Sequence, residues 1–421
     1  MRQRNAEIVG CRPNALRALG RRSFLQRAAA ALGLSTLRVP AEPLYANTKP
    51  IGSAHVIRLF LTGDVMTGRG IDQVLPNPVD PRIYEPYMKS AAGYVELAER
   101  RNGPISKPVD FAYIWGDALR ELERAGPDVR IINLETSVTV SEDHSPKGIN
   151  YRMHPKNVPC LQAAGIDVCL LANNHVLDWG PSGLIETLET LRAVDLKTAG
   201  AGRDAREALA PAVVEISGKG RVIVFAFGAV SSGIPRAWAA AADRPGVNLL
   251  PDLSQATVGA IGAAVKEVKR TGDVAVASLH WGGNWGYQVT RSQQEFAHGL
   301  IDDAGIDMVH GHSSHHVKGI EVYGGKPILY GCGDFLTDYE GIGGYEEFRD
   351  DLVLMYFPAI DPATGLLQRL DMTPLRLRNF RLNHASAPEA WWLEGVLNGE
   401  GRRFGTGVER DEDNRLTLRW A

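Results

Sequence analysis

An apolar run, Val168–Ala172, stops abruptly on Asn173, Asn174 and His175, and Asp178 follows three residues later. Amide, imidazole and carboxylate are groups that hold a divalent cation or move a proton, and a loop just past a buried strand is where an α/β enzyme presents them. Four other runs end in the same way. Val56–Thr62 leads into Gly63-Asp64, Val129–Asn133 into Leu134-Glu135, and Val274–Leu279 into His280-Trp281-Gly282. Asp307-Met308-Val309 leads into His310-Gly311-His312-Ser313-Ser314-His315-His316. Singly, each has a bland alternative: a plain turn at Gly63-Asp64, a capping or ion-pairing carboxylate at Glu135, a packed core imidazole at His280. Four imidazoles within seven residues are harder to place without a use, because burying or crowding them is costly. Carboxylate, amide and imidazole without thiolate suit zinc, manganese, iron or magnesium.

The elements that must carry these groups are strand-length apolar runs separated by helical stretches, the pattern of an α/β architecture. Strands are predicted at Val56–Thr62, Val129–Asn133, Val168–Ala172, Val222–Phe227, Val274–Leu279, Met308–Val309, Ile328–Tyr330 and Leu352–Phe357. Helices are predicted at Ala112–Arg124, Gly183–Ala193, Ser254–Thr271 and Ser292–Ala304. In open α/β sheets ligands bind beyond the carboxyl ends of the strands, so these separated strand ends are expected to converge.

Composition sets the outer bounds. The 421 residues are 44% hydrophobic and 23% charged, as in a globular protein with a sizeable core. Eight of the 46 basic residues and two of the 49 acidic ones fall in the first 46 positions, leaving 38 against 47, a net charge of −9. No basic stripe remains, so nucleic acid is not an expected partner. Arg21-Arg22-Ser-Phe-Leu followed by the short apolar stretch Ala28–Leu37 reads as a twin-arginine export signal over residues 1–46, and places the mature chain in the periplasm or beyond the cytoplasm. Elsewhere there is no run of membrane-spanning length. Cys11 precedes the arginine pair, and Cys160, Cys169 and Cys332 are expected as small buried core residues rather than a disulfide framework.

The ordered motifs Thr62-Gly63-Asp64-Val65-Met66, Asn133-Leu134-Glu135, Asn173-Asn174-His175 through Gly180, His280-Trp281-Gly282, Gly311-His312-Ser-Ser-His315 and Lys326–Tyr330 resemble the CapA-type family of capsule and poly-γ-glutamate biosynthesis proteins. That family has the calcineurin-like metallophosphoesterase fold. The resemblance implies a four-layer α/β/β/α sandwich over residues 47–380, with 381–421 as a C-terminal extension packed on it or trailing it. It implies one or two divalent ions held by Asp64, Glu135, Asn174, His280, His312 and His315. It also implies His175 as the group that protonates the leaving group, with Asp178 orienting it. Departures are visible. Met66 stands where the wider phosphoesterases carry the histidine of Asp-x-His, Ser314 stands where CapA-type chains usually have Pro, and Asp334 where they usually have Asn.

The expected activity is metal-dependent hydrolysis of an anionic polymer or its intermediate, with Arg69, Arg152 and Trp281 as substrate contacts. Two alternatives stand beside it: a non-catalytic scaffold or polymer-binding subunit of a membrane-bound capsule synthase complex, and a metal-independent acid/base enzyme on the same fold.

Overall fold

A computed structural model describes residues 56–421. The arginine-rich leader, with its expected export signal and Cys11, lies outside the described residues. Two sheets stack face to face, and the alternation of side chains along each strand decides which residue enters which layer. On the strand Ile57–Val65, Leu59 and Leu61 join the core between the sheets while Phe60 joins the core under the outer helices. On Gly220–Gly228, Val222 and Val224 fill the inter-sheet core, and Ile223 and Phe225 pack with residues of the helices Gln255–Val268 and Arg291–Asp302. Three buried layers between four layers of structure make the α/β/β/α sandwich that the sequence resemblance implied. Strands covered on both faces need apolar residues at every position, which is why they read as unbroken hydrophobic runs.

The larger sheet has ten strands, of which Ile57–Val65, Val129–Leu134, Val168–Leu170 and Lys197–Ala199 lie side by side in parallel, with Asp334–Leu336 also parallel to Ile57–Val65. The smaller sheet has six, with Gly220–Gly228, Val274–His280, Met308–His312 and Lys326–Leu329 parallel in that order. All eight predicted strands are present. The helix predicted over Ala112–Arg124 starts late, at Ala118, because Gly116 takes φ +45° against the carbonyl of Leu382, where a Cβ would sit 2.1 Å from the oxygen. Sequence periodicity missed the helices Ala92–Asn102 and Ala387–Gly401 and the long strand Leu367–Arg378. Residues from 381 onward build one edge of the larger sheet: Arg381–His384 and Leu416–Trp420 both pair with Leu367–Arg378, and Thr406–Arg410 pairs with Leu416–Trp420. Cys160, Cys169 and Cys332 are free and buried, and burial raises all three thiols above their usual range.

The first site residue depends on a break in the sheet. Register between Ile57–Val65 and Val129–Leu134 shifts between Leu61 and Asp64, and the Asp64 N–H donates across to Gly333 O at 3.0 Å. A bulge of this kind re-aims the side chain that follows it. It requires Gly63, since a Cβ there would lie 1.6 Å from Gly333 O. Gly63→Ala is therefore expected to cost about 3 kcal/mol or more, the upper end of over-packing penalties, read as a lowered Tm in thermal unfolding.

Candidate metal centre

Asp64 and Glu135 arrive at neighbouring ends of parallel strands, and Asn133 ties them together. Its amide Nδ2 donates to Asp64 Oδ1 at 2.7 Å and to Glu135 Oε2 at 3.2 Å. Asn173 in turn donates to Asn133 Oδ1 at 3.1 Å and to Leu134 O at 2.9 Å, and its own oxygen accepts the His175 N–H. The strand-end loop that carries His175 is thus pinned to the strand that carries Glu135. Both carboxylates are buried. Burial pushes Asp64 up to about 7, with the nearby charge of Asp334 adding to it, and burial followed by Asp64 holds Glu135 well above the usual carboxylate range.

The imidazoles come from the smaller sheet. His280 and His312 sit opposite each other in the parallel register, as do Ser278 and His310, so all four project into one layer. Hydrogen bonds then fix which nitrogens carry protons. His310 Nε2 donates to the carbonyl of Thr62 at 2.7 Å, which leaves His310 Nδ1 to accept from the Ser278 hydroxyl at 3.1 Å. Having given its proton, Ser278 accepts from His312 Nε2 at 2.8 Å. The neutral His312 is left with a bare Nδ1, 2.7 Å from His280 Nδ1 and 3.6 Å from Asp64 Oδ1. His280 Nε2 lies 2.9 Å from Asn174 Oδ1. A neutral His280 has one N–H for two acceptors, His312 Nδ1 and Asn174 Oδ1, so one short contact pairs lone pair with lone pair. Burial keeps these rings neutral: His310 is lowered to about 4, and His280 and His312 fall well below the usual histidine value.

A cation resolves both excesses, the crowded carboxylates and the facing lone pairs. One ligand atom each from Asp64, His280 and His312 lie within 4.8 Å of one another. Glu135 Oε1 is 3.8 Å from His280 Nε2. The residues present fit a divalent metal ion, and the donor set of oxygen and imidazole suits the borderline and hard ions.

His175 forms a separate proton-handling group beside it. Its Nδ1 lies 2.6 Å from Asp178 Oδ2, which also accepts the Tyr151 N–H at 2.7 Å. Lys147 Nζ sits 2.7 Å from Asp178 Oδ1 and donates to the carbonyl of Asn174. The ring's other nitrogen, Nε2, faces Glu135 Oε1 at 3.8 Å. Burial lowers His175 to about 4, with Lys147 adding to the shift and Asp178 opposing it, so the ring is neutral with Nε2 free to accept. His315 Nδ1 meets Asp334 Oδ1 at 2.8 Å. Burial alone would lower this imidazole, but Asp334 and Asp64 hold it above the usual value.

Residues 58–339 match the family model described as bacterial capsule synthesis protein PGA_cap. The chain belongs to this capsule synthesis family. It is 50% identical over 369 residues to a probable polyglutamine synthesis accessory protein of Mycobacterium tuberculosis, covering 87% of this chain and 97% of that protein. It is 26% identical over 325 residues to the PGA biosynthesis protein CapA of Bacillus subtilis, covering 77% and 72% respectively. Among solved structures, a phosphatase from Mycoplasma pneumoniae aligns over 79% of this chain and 95% of that one, with a TM-score of 0.42 and 11% identity.

Three expected substrate contacts in this capsule synthesis protein are placed elsewhere. Arg69 is 3% exposed, with its Nε 2.8 Å from Asp338 Oδ2 and its Nη1 2.7 Å from Glu85, and it stacks on Tyr94. Its charge is consumed inside the fold. Arg152 lies flat over Trp179 at 3.8 Å and donates to the carbonyls of Ser141 and Asp80. Trp281 is 2% exposed, packs on Phe296 and Tyr330, and gives its indole N–H to Tyr330 O. As the residue after His280 on an alternating strand, it necessarily points to the opposite layer, the helix-covered one. Asn133, Lys147, Ser278 and His310 had no assigned role in the sequence reading. The pairs Ser278/His280 and His310/His312 carried a usable signal, since residues two apart on a strand share a face.

Proposed function

We propose that the protein is an exported, metal-dependent hydrolase of capsule or poly-γ-glutamate biosynthesis, acting on an anionic polymer or an intermediate of it. The observation that carries this reading is the single N–H of His280 placed between two acceptors, His312 Nδ1 and Asn174 Oδ1, beside the Asp64 carboxylate, an arrangement that a bound cation satisfies. Asp64, His280 and His312, with Glu135 and Asn174 alongside, would hold a divalent ion that polarises a phosphoryl or acyl oxygen and acidifies bound water. The chain's own residues handle the proton. His175 Nε2, free and directed at Glu135, takes a proton from the attacking water or relays one to the leaving group, and Asp178 fixes the ring's tautomer and orientation. Because the chain beyond residue 46 is net negative, a polyanion gains little from long-range attraction and depends on the cationic centre.

The twin-arginine pattern supports export to the periplasm or cell exterior. No helix among the described residues is long and apolar enough to cross a membrane. A second reading, an accessory subunit that supports a membrane-bound synthase, draws on the mycobacterial relative's printed name and on Met66 in place of a ligating histidine. The metal-independent acid/base reading gains nothing from the geometry, since it leaves the facing acceptors unexplained.

The test is hydrolysis of a generic phosphodiester and of a γ-glutamyl anilide by the purified protein before and after chelation. Expected is loss of at least about 100-fold of activity on chelation and its return with manganese or zinc. Undiminished activity after chelation removes the ion from the mechanism. Hydrolysis absent from the metal-loaded protein on every substrate transfers support to the accessory reading.

A further inference from the structure

We propose that Lys147 reads the charge of the substrate: its ammonium donates a hydrogen bond to a single anionic oxygen, phosphoryl or carboxylate, on the group beside the scissile bond. The proposal rests on the hydrolase reading above and names the side chain that takes over the task expected of Arg69 and Arg152.

The backbone around Lys147 is tied to the centre. The Ser145 N–H donates to the carbonyl of Asp178 at 2.7 Å, and the Lys147 N–H donates to the carbonyl of Ser145 at 2.8 Å. The Asn150 amide donates to both carbonyls, to Ser145 O at 3.0 Å and to Asp178 O at 3.2 Å. The segment that carries the lysine is thus fixed to the loop that carries Asn174, His175 and Asp178. A donor held in place beforehand has little freedom left to lose when a ligand arrives, which is what makes its contact count toward binding. The charge of Lys147 is felt across the centre: it opposes burial and Asp64 at Glu135, and it adds to burial at His175 and His280.

The ammonium has more protons than the surrounding side chains and carbonyls have acceptors for it. Lysine carries three N–H donors and no acceptor. One goes to the carbonyl of Asn174, and one at most to Asp178 Oδ1, 2.7 Å away. The next polar neighbour is His175 Nδ1 at 3.3 Å, but that nitrogen lies 2.6 Å from Asp178 Oδ2 and carries the proton of that bond, so it cannot accept another. Trp238 presents its ring with the centroid 5.1 Å from Nζ, which attracts the charge without ending a hydrogen bond. At least one N–H is therefore left over. It sits on a side chain that is 21% exposed, so a group arriving from solvent can meet it.

The chemistry of that group follows. An ammonium is a compact point charge suited to one oxygen, where a guanidinium would clamp two. Arg69 is spent on Asp338 and Glu85, and Arg152 on backbone carbonyls, so the charge of Lys147 is the one these three residues leave for an anion. If Lys147 served only to brace Asp178, its loss would be felt equally by substrates with and without a negative charge.

The experiment compares two pairs of chromogenic substrates, the members of each pair differing by one negative charge: γ-glutamyl p-nitroanilide with its α-methyl ester, and methyl p-nitrophenyl phosphate with its neutral dimethyl counterpart. The metal-loaded full chain is assayed unaltered and as Lys147→Met, which keeps the length of the side chain without its charge. Expected for the unaltered protein is a lower KM for the charged member of at least one pair, and the pair that shows it identifies the oxygen as carboxylate or phosphoryl. Lys147→Met is expected to raise that KM by at least about 10-fold, the scale of a hydrogen bond to a charged group, and to leave the neutral counterpart within about 3-fold. Equal KM values within both pairs in the unaltered protein, a comparison that needs no variant to fold, overturn the proposal. A loss in Lys147→Met that is the same with and without the substrate's charge overturns it as well, makes the lysine a brace for Asp178 and leaves the hydrolase reading standing. Should none of these substrates turn over, calorimetric titration with inorganic phosphate and with glutarate puts the question to binding alone. A Kd at least about 10-fold weaker in Lys147→Met is then expected, and equal Kd values, or no binding of either anion, overturn the proposal.

Discussion

Asp178→Asn is expected to lower kcat by about 10³- to 10⁴-fold with bound metal and KM nearly unchanged, the scale seen when a base-orienting carboxylate is replaced by its amide. Asp178 Oδ2 now receives the His175 and Tyr151 N–H groups, and Oδ1 faces Lys147 Nζ. An amide must turn its NH₂ toward one side. Facing His175, it donates to Nδ1 and drives the imidazole proton to Nε2, which removes the lone pair directed at Glu135. Facing Lys147, it sets donor against donor beside a partly exposed ammonium group and costs about 1 kcal/mol of stability. Steady-state kinetics with elemental analysis on the same preparation separates the two effects. An unchanged kcat in both Asp178→Asn and His175→Ala would take His175 out of proton transfer.

Asp64→Asn should abolish metal binding and yet stabilise the metal-free protein by about 1–3 kcal/mol. The Asp64 carboxyl is pushed from 3.8 up to about 7, first by burial and then by Asp334, so the folded chain prefers it protonated. The sign follows. Between about pH 4 and pH 7 the folded state binds more protons at this group than the unfolded state does, so the metal-free protein loses stability as pH rises through that window. The full shift corresponds to about 4 kcal/mol at 1.36 kcal/mol per unit, an upper figure that relaxation of the neighbours reduces. Asparagine removes the charge and with it the pH dependence, while its oxygen still accepts from Asn133. In the metal-loaded protein the order reverses, since an ion bound only to the folded state adds stability by mass action. Calorimetric Tm values from pH 4 to 8, with chelator and with excess metal, give the comparison. Equal destabilisation of the variant under both conditions would mean that Asp64 is an ordinary structural carboxylate.

How much of this was open to a reading of the chain differs residue by residue. Asp64, Glu135, Asn174, His175, His280 and His312 were legible because each ends an unbroken apolar run, and a strand covered on both faces can end only at a rim of the sheet. Asp178 was legible from its spacing to His175. Arg69 misled. A basic residue five positions after a motif aspartate reads as a surface contact for anions, and nothing local reports that Asp338, 269 positions away, and Glu85 will enclose it. Trp281 misled for a different reason, since the period of two already assigned it to the opposite layer from His280.

The amino-acid sequence alone determined the strands, the strand ends and the chemical types delivered there, because those follow from local hydrophobic pattern and from the two-residue repeat of a strand. The tertiary structure decided which nitrogens keep their lone pairs, which arginines are neutralised, and that Asp334 stands beside Asp64. These depend on partners such as Thr62 and His310, 248 positions apart, whose hydrogen bond sets a tautomer that no stretch of sequence encodes. Burial turns such distant contacts into chemistry: with water excluded, a proton or an ion has to fill every acceptor that the fold brings face to face.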